Sequence, residues 1–203
     1  MLGKHGVTVR GTPAAASGHG GSVLAAHRSA PLSDLVEQML TESDNDLAEA
    51  LARQAALASG RPVSFAGGAA AIRAALTRYG VPLPHASFND GSGLDHSDAL
   101  APLTLARLLA LAASPDHHEL RPVLSGIPVA GFTGTLSTRF QGSGEAGLIR
   151  AKTGTLTGTN TIAGTTTTAS GRLLVFAFMT QGTSLPTAAE TALDHLAEAV
   201  AGP

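Results

Sequence analysis

The sequence predicts an α/β domain of two layers, an antiparallel sheet packed with helices. Three observations carry this reading. Apolar residues recur three and four apart in successive segments from Leu32 onward, the character then changes to β-prone runs from Leu148, and an Ala-rich helical stretch follows the last of those runs. With 203 residues, 43% of them hydrophobic, the chain is long enough to bury a substantial core. No internal repeat is evident.

In chain order, residues 7–10 alternate apolar and polar, and residues 22–27 form a second short run after a Gly/Ala/Ser-rich stretch. Two strands joined by a mobile loop are expected there. Leu32, Leu35, Val36, Met39 and Leu40 share one helical face, so a helix runs from Leu32 to near Thr41. Asn45 and Asp46 are suited to cap a second helix, which carries Leu47, Ala48, Leu51 and Ala55 on one face and is stopped by Gly60 and Pro62. Ser43-Asp44-Asn45 therefore falls at a helix-to-helix corner. Residues 65–79 and 102–113 are helical by the spacing of Ile72 and Leu76 and of Leu105, Leu108 and Leu109. Between them Asn89 to Asp95 reads as a turn-rich loop, and a further helix is expected around 119–124. Residues 148–152, 159–168 and 172–180 are β-prone, with Gly171 supplying a tight hairpin turn, and 186–200 form the closing helix.

Composition excludes several functions. A formal charge of -2, with 13 Lys and Arg against 15 Asp and Glu, offers no basic face for a phosphate backbone, so no nucleic-acid partner is expected. Only 3% of residues are aromatic, too few for a base-stacking platform. The absence of cysteine rules out disulfides and Cys-ligated zinc. The first residues contain no basic segment followed by an apolar stretch, so no signal peptide is read there, and the longest apolar run, Leu173 to Met179, is too short to span a bilayer.

Two short motifs carry chemistry. Ser43 has a hydroxyl that both accepts and donates, as a proton relay requires, and the Asn45 carboxamide can hold a peptide group or a catalytic lysine in one orientation. Lys152, near the end of a predicted strand, would attract a carboxylate, and Thr153 adds a hydroxyl to it. Gly154 leaves room for an extended peptide along the strand edge, and the Thr155 N–H would then be placed to stabilise an oxyanion. No nucleophile accompanies them in a Ser-x-x-Lys motif. The chain has two lysines, Lys4 and Lys152, and the residues three before them are Met1 and Ile149.

Four features in order, Ser43-Asp44-Asn45 with the Asp-Leu-Ala-Glu stretch after it, Asp90-Gly91-Ser92-Gly93-Leu94, Gly134-Thr135-Leu136 with Arg139-Phe140, and Lys152-Thr153-Gly154-Thr155-Leu156, resemble the D-alanyl-D-alanine carboxypeptidase/endopeptidase family, the class C low-molecular-mass penicillin-binding proteins. The lead-in to the first motif, ending in Pro31-Leu32-Ser33, is similar as well, so the resemblance covers nearly the whole chain. It implies the C-terminal part of a penicillin-binding protein/serine β-lactamase-like transpeptidase domain over residues 1–203. It implies Ser43, Asn45 and Lys152 as catalytic residues, Thr153, Gly154 and Thr155 as substrate-binding residues, and no metal or cofactor. Implied partners are peptidoglycan stem peptides, β-lactams and an N-terminal segment of the same protein that holds the nucleophile and its lysine. The family's setting is extracytoplasmic, periplasmic or cell-wall associated. On this reading the export signal lies upstream with the nucleophile, Met1 is an internal or artificial start, and the chain alone does not acylate.

Plainer readings stand beside these. Ser43, Asp44 and Asn45 are all good helix caps, and Lys152 at a strand end is compatible with a solvated surface lysine. Asp90-Gly91-Ser92-Gly93 fails as a calcium loop because oxygen ligands do not alternate, and as a nucleophile elbow because Asp90 replaces the leading glycine of Gly-x-Ser-x-Gly. His117-His118-Glu119 is a poor metal site, since adjacent histidines point to different sides. Two functional alternatives remain: a non-catalytic module that binds D-Ala-terminated peptides through Lys152 and Thr153, and a hydrolase that uses Ser92.

Overall fold

A computed structural model describes residues 2–12, 14–15, 17, 20–23 and 25–202. The helical part comprises α1 (Leu32–Glu42), α2 (Asn45–Ala58), α3 (Phe65–Arg78), α4 (Pro102–Ala113) and α5 (Arg121–Gly126). The strands β1 (Ile149–Leu156), β2 (Thr159–Thr167) and β3 (Leu173–Gln181) form an antiparallel meander, and α6 (Pro186–Ala201) follows. Register pairs Lys152 with Ala163 and Thr155 with Asn160 across β1 and β2.

The two strands expected over residues 7–10 and 22–27 do not form among the described residues. Val7 to Arg10 are irregular, and Val7, Val9 and Val23 are exposed. A strand is stable only when a neighbour takes its backbone groups, and none of the three strands pairs with this segment. Leu24 of the second expected strand, and Pro13, Ala16, Gly18 and His19 of the expected loop, lie outside the described residues. The later elements match expectation closely except β1, which runs on to Leu156 because β2 pairs with it along its whole length, so that Lys152 sits within the strand and not near its end. The expected helix near 119–124 begins as a 3-10 turn, His118–Leu120, before α5, because Pro122 sits comfortably only in a first helical turn.

The α1–α2 corner has a particular construction. Ser43 closes α1 in the left-handed region, φ +55°, and the Asp44 N–H reaches back to the Met39 carbonyl at 3.1 Å. The cap of α2 is Asp44, whose carboxylate accepts from the Leu47 N–H at 2.9 Å, rather than Asn45 or Asp46, which fall inside the helix. With Asp44 taking that task, the side chains of Ser43 and Asn45 are left for other work.

Strand alternation divides the sheet between two cores. Ile149 and Ala151 of β1, Ile162 of β2 and Phe176 of β3 face α6, where Leu193, Ala197 and Ala201 meet them together with Leu136 and Phe140. The opposite face presents Ala163, Val175 and Ala177 to Leu40 of α1, Leu105 and Leu109 of α4 and Val123 and Leu124 of α5. The sheet is thus sandwiched between α6 and the helical layer. Helices α2 and α3 pair through small residues, with Gly68 close enough to Ala52 that an added Cβ would lie 3.1 Å from the alanine methyl. The outer edge of β3 has no strand partner among the described residues.

Leu193 is 1% exposed at the centre of the α6 core. Leu193→Ala is expected to destabilise the chain by about 2–5 kcal/mol through lost burial and the cavity it leaves. Urea unfolding of the two chains checks this, and a shift under about 1 kcal/mol, closer to that of a surface substitution, would contradict that core assignment.

Candidate active site

The strand pattern sends Lys152 and Thr153 in opposite directions. Lys152 is on the face of β1 that carries Ala163's neighbours, toward the helices, and its Nζ donates to Ser43 Oγ at 2.8 Å. These residues are 109 positions apart in sequence. Nζ also donates to the Thr153 carbonyl at 2.6 Å. An ammonium has three donors, so one more remains for a ligand. Burial pushes the Lys152 pKa below the ordinary lysine value. A partly desolvated cation of this kind attracts a carboxylate more strongly than one in water.

The free edge of β1 supplies the second part of the site. Toward its start, β1 is flanked by a short extended segment: the Ala130 N–H bonds the Ile149 carbonyl at 3.0 Å, and the Ala151 N–H bonds the Pro128 carbonyl at 2.9 Å. Residues 149 and 151 therefore turn their backbone groups away from β2, and alternation puts those of Thr153 and Thr155 on the same edge beyond the point where the flanking segment ends. The Thr155 N–H points off an open edge, as an oxyanion donor or a strand-adding peptide requires. A Cβ on Gly154, on the Lys152 face, would stand 2.7 Å from Thr161 Oγ1, so that hydroxyl would have to turn aside.

The sequence-predicted residues are thus brought together in part. Ser43 and Lys152 are in contact, and Thr153, Gly154 and Thr155 continue along the same edge. Asn45 occupies the first position of α2, two residues after Ser43, exposed and with no side-chain hydrogen bond among the described residues. Ser92 belongs elsewhere: its hydroxyl donates to Asp90 Oδ2 at 3.2 Å, and no histidine bonds it among the described residues. Burial pushes the Asp90 carboxyl up, but bonds from the Gly93 and Asp95 N–H groups, Asp98 and Ser92 outweigh it and leave the pKa below the usual carboxylate value. That loop is tied to α2 by Glu49 Oε1, which accepts from the Gly91 and Ser92 N–H groups at 2.9 Å each. His117 pairs with Glu119 at 3.3 Å, and Tyr79 donates to the same carboxylate at 3.1 Å, an arrangement that fastens α3 to the 3-10 turn.

Sequence reasoning gives no role to two residues that touch this edge, Thr135 and Glu190, or to Arg139 behind them. Thr135 Oγ1 lies 2.9 Å from Thr153 Oγ1. Thr155 Oγ1 donates to Glu190 Oε1 of α6 at 3.1 Å. Arg139 holds α6 in turn, with Nε and one terminal nitrogen on the Asp194 carboxylate at 3.0 and 2.5 Å. The Gly134-Thr135-Leu136 motif was the available signal, but a threonine in a short turn does not announce its neighbour 18 residues on.

Comparison with solved structures defines the class. The structure superposes on penicillin-binding protein 4 (dacB) of Haemophilus influenzae, solved with a β-lactam, with a TM-score of 0.80 and 29% identity, over 92% of this chain and 45% of that one. The TLA-1 extended-spectrum β-lactamase shares the fold at a TM-score of 0.61 and 17% identity, over 84% of this chain and 63% of that one. The fold is therefore of the penicillin-binding protein and serine β-lactamase type. Residues 1–200 match the D-Ala-D-Ala carboxypeptidase 3 (S13) family, and the chain belongs to it. It is 43% identical over 182 residues to carboxypeptidase DacB of Mycolicibacterium smegmatis, covering 88% of this chain and 39% of that protein. It is 34% identical over 173 residues to D-alanyl-D-alanine carboxypeptidase DacB of Haemophilus influenzae, covering 81% of this chain and 34% of that protein. The chain thus spans less than half the length of these relatives. No helix among the described residues is long and apolar enough to cross a membrane.

Because the chain has two lysines, isotope-labelled lysine gives two ε-carbon signals, and the one lost in Lys152→Arg reports this site. It is expected to titrate below the ordinary lysine value of about 10.4, and lower still in Ser43→Ala, where the charged form loses an acceptor. The native state then binds fewer protons than the unfolded chain between the lowered midpoint and about 10.4, so folding stability rises with pH across that window. A midpoint at or above the ordinary value contradicts the burial argument.

Proposed function

We propose that residues 1–203 are the C-terminal portion of the catalytic domain of a serine-type D-Ala-D-Ala carboxypeptidase/endopeptidase acting on peptidoglycan stem peptides. The observation that carries this reading is the Lys152–Ser43 hydrogen bond, which joins the two family motifs across the sheet-to-helix boundary at 2.8 Å. Family membership and the relatives named above support it.

On this reading the residues divide the work of acyl transfer. Ser43 Oγ accepts from Lys152, so its own O–H is directed away from the lysine and is available to protonate the departing amine of the terminal D-Ala. Lys152 and Thr153 hold the terminal carboxylate of a stem peptide, or the equivalent carboxylate of a β-lactam. The substrate lies along the β1 edge past Gly154, its scissile carbonyl at the Thr155 N–H. Asn45 orients the substrate's peptide group or the lysine of the nucleophile motif. The nucleophilic serine and that lysine come from an N-terminal segment of the same protein, because the 203 residues contain no Ser-x-x-Lys. Supporting groups alone stabilise an intermediate that they cannot form, so the chain by itself is inactive. An enzyme with this substrate works outside the cytoplasm, in the periplasm or at the cell wall.

A second reading is favoured by one observation: the Lys152 and Thr153 anchor is complete within this chain. In that case the chain is a non-catalytic module that binds D-Ala-terminated peptides or β-lactams without turnover.

Fluorescent penicillin separates the readings. It is expected to label covalently a chain extended upstream through a Ser-x-x-Lys motif and to leave the 203-residue chain unlabelled. Ser43→Ala in the extended chain should slow labelling about a hundredfold or more, the range of lost general acid–base catalysis. Reversible binding of a D-Ala-terminated peptide with no labelling of either form would favour the binding module. Labelling of the short chain would overturn the proposed division of residues.

A further inference from the structure

The Thr135–Thr153 hydroxyl pair adds a residue to the carboxylate anchor, an inference that rests on the function proposed above. Thr153 Oγ1 has one hydrogen and must aim it at the incoming carboxylate to be useful. Its neighbour at 2.9 Å is Thr135 Oγ1, and either hydroxyl is able to donate to the other. If Thr153 donates to Thr135, its hydrogen is spent and the anchor loses a donor. If Thr135 donates, Thr153 accepts and its hydrogen is turned toward the cleft. A carboxylate beside Lys152 selects the second arrangement, since a donor to an anion is shorter and stronger than a donor to a neutral hydroxyl. Two hydroxyls in series also polarise one another, which strengthens the terminal bond to the anion.

The fold holds Thr135 where this is feasible. Its 3-10 turn, Gly134–Leu136, is wedged between the end of α1 and β1. Gly134 adopts φ +52°, and a Cβ there would stand 2.2 Å from the Thr41 carbonyl, two residues before Ser43. Leu136 is fully buried in the α6 core, and the Gly131 N–H bonds its carbonyl at 3.0 Å. Thr133 Oγ1 accepts from the Val129 N–H at 2.8 Å, which fastens the turn to the segment flanking β1. The hydroxyl of Thr135 is exposed while the backbone that carries it is tightly placed.

We propose that Thr135 is a positioning residue that donates its hydroxyl hydrogen to Thr153 and so aims the Thr153 hydroxyl at the substrate's terminal carboxylate. The test uses the enzyme extended through its Ser-x-x-Lys, with benzylpenicillin and its methyl ester as probes, which differ in the carboxylate alone. The unsubstituted enzyme should be acylated faster by the acid than by the ester. Thr135→Val should slow the acid about tenfold, the scale of one hydrogen bond to a charged group, and leave the ester unchanged. Thr135→Ser, which keeps the hydroxyl, should behave as the unsubstituted enzyme, and both variants should melt with it. Equal loss for acid and ester in Thr135→Val, or failure of serine to restore the preference, would mean a structural role and overturn the inference while the proposed function stands. No change in either variant would overturn it too. An unsubstituted enzyme with no acylation, or no preference for the acid, would sink the function and the inference together.

Discussion

The placement of one ammonium organises this structure. Lys152 is held partly out of water on the inner face of β1, and its nearest acceptors are Ser43 Oγ and the carbonyl of the next residue. A buried charge without such partners is costly, so the lysine draws the α1–α2 corner and the strand edge into a fixed relation. The corner answers with its own constraint: Ser43 closes α1 in the left-handed region, which a serine seldom adopts. Capping falls to Asp44, and this division of labour among three adjacent polar residues leaves the outer two side chains free of that task.

Around that contact the fold braces β1 from several directions. The Pro128 to Ala130 segment pairs with its first half and stops, leaving its second half open. Thr135 meets Thr153, and Glu190 meets Thr155, while the Arg139–Asp194 ion pair holds α6 in place behind them. That ion pair is half-buried and bidentate, the geometry in which an arginine contributes specificity of placement as well as attraction. The open edge is consequently braced by the flanking segment, the 3-10 turn and α6.

The Asp90 to Asp95 loop illustrates how a suggestive motif is satisfied by structure alone. Its carboxylate accepts the N–H groups of Gly93, Leu94 and Asp95, and its serine hydroxyl turns inward to the same group. Glu49 fastens the loop to α2, where Gly91 lies so close to Ala52 that a Cβ would approach to 2.5 Å. Glycine is required here by close packing against a helix, and the Ser92 hydroxyl bonds within the turn.

Much of this was legible in the residues. The helical spacing from Leu32 to Ala113, the three β-prone runs and the closing Ala-rich helix are local patterns, and each corresponds to an element because its apolar face found a core. The ordered motifs single out Ser43, Asn45, Lys152 and Thr153 to Thr155. The short alternating run at Val7 misled, because alternation records only a face that could be buried, and pairing depends on a partner that no local pattern contains. What tertiary structure alone decided is which polar groups share a hydrogen: that Asp44 rather than Asn45 caps α2, that Lys152 reaches Ser43, and that Thr135 lies against Thr153. Those pairings span 3, 109 and 18 residues, and hydrogen bonds depend on ångströms between atoms that sequence spacing leaves unset.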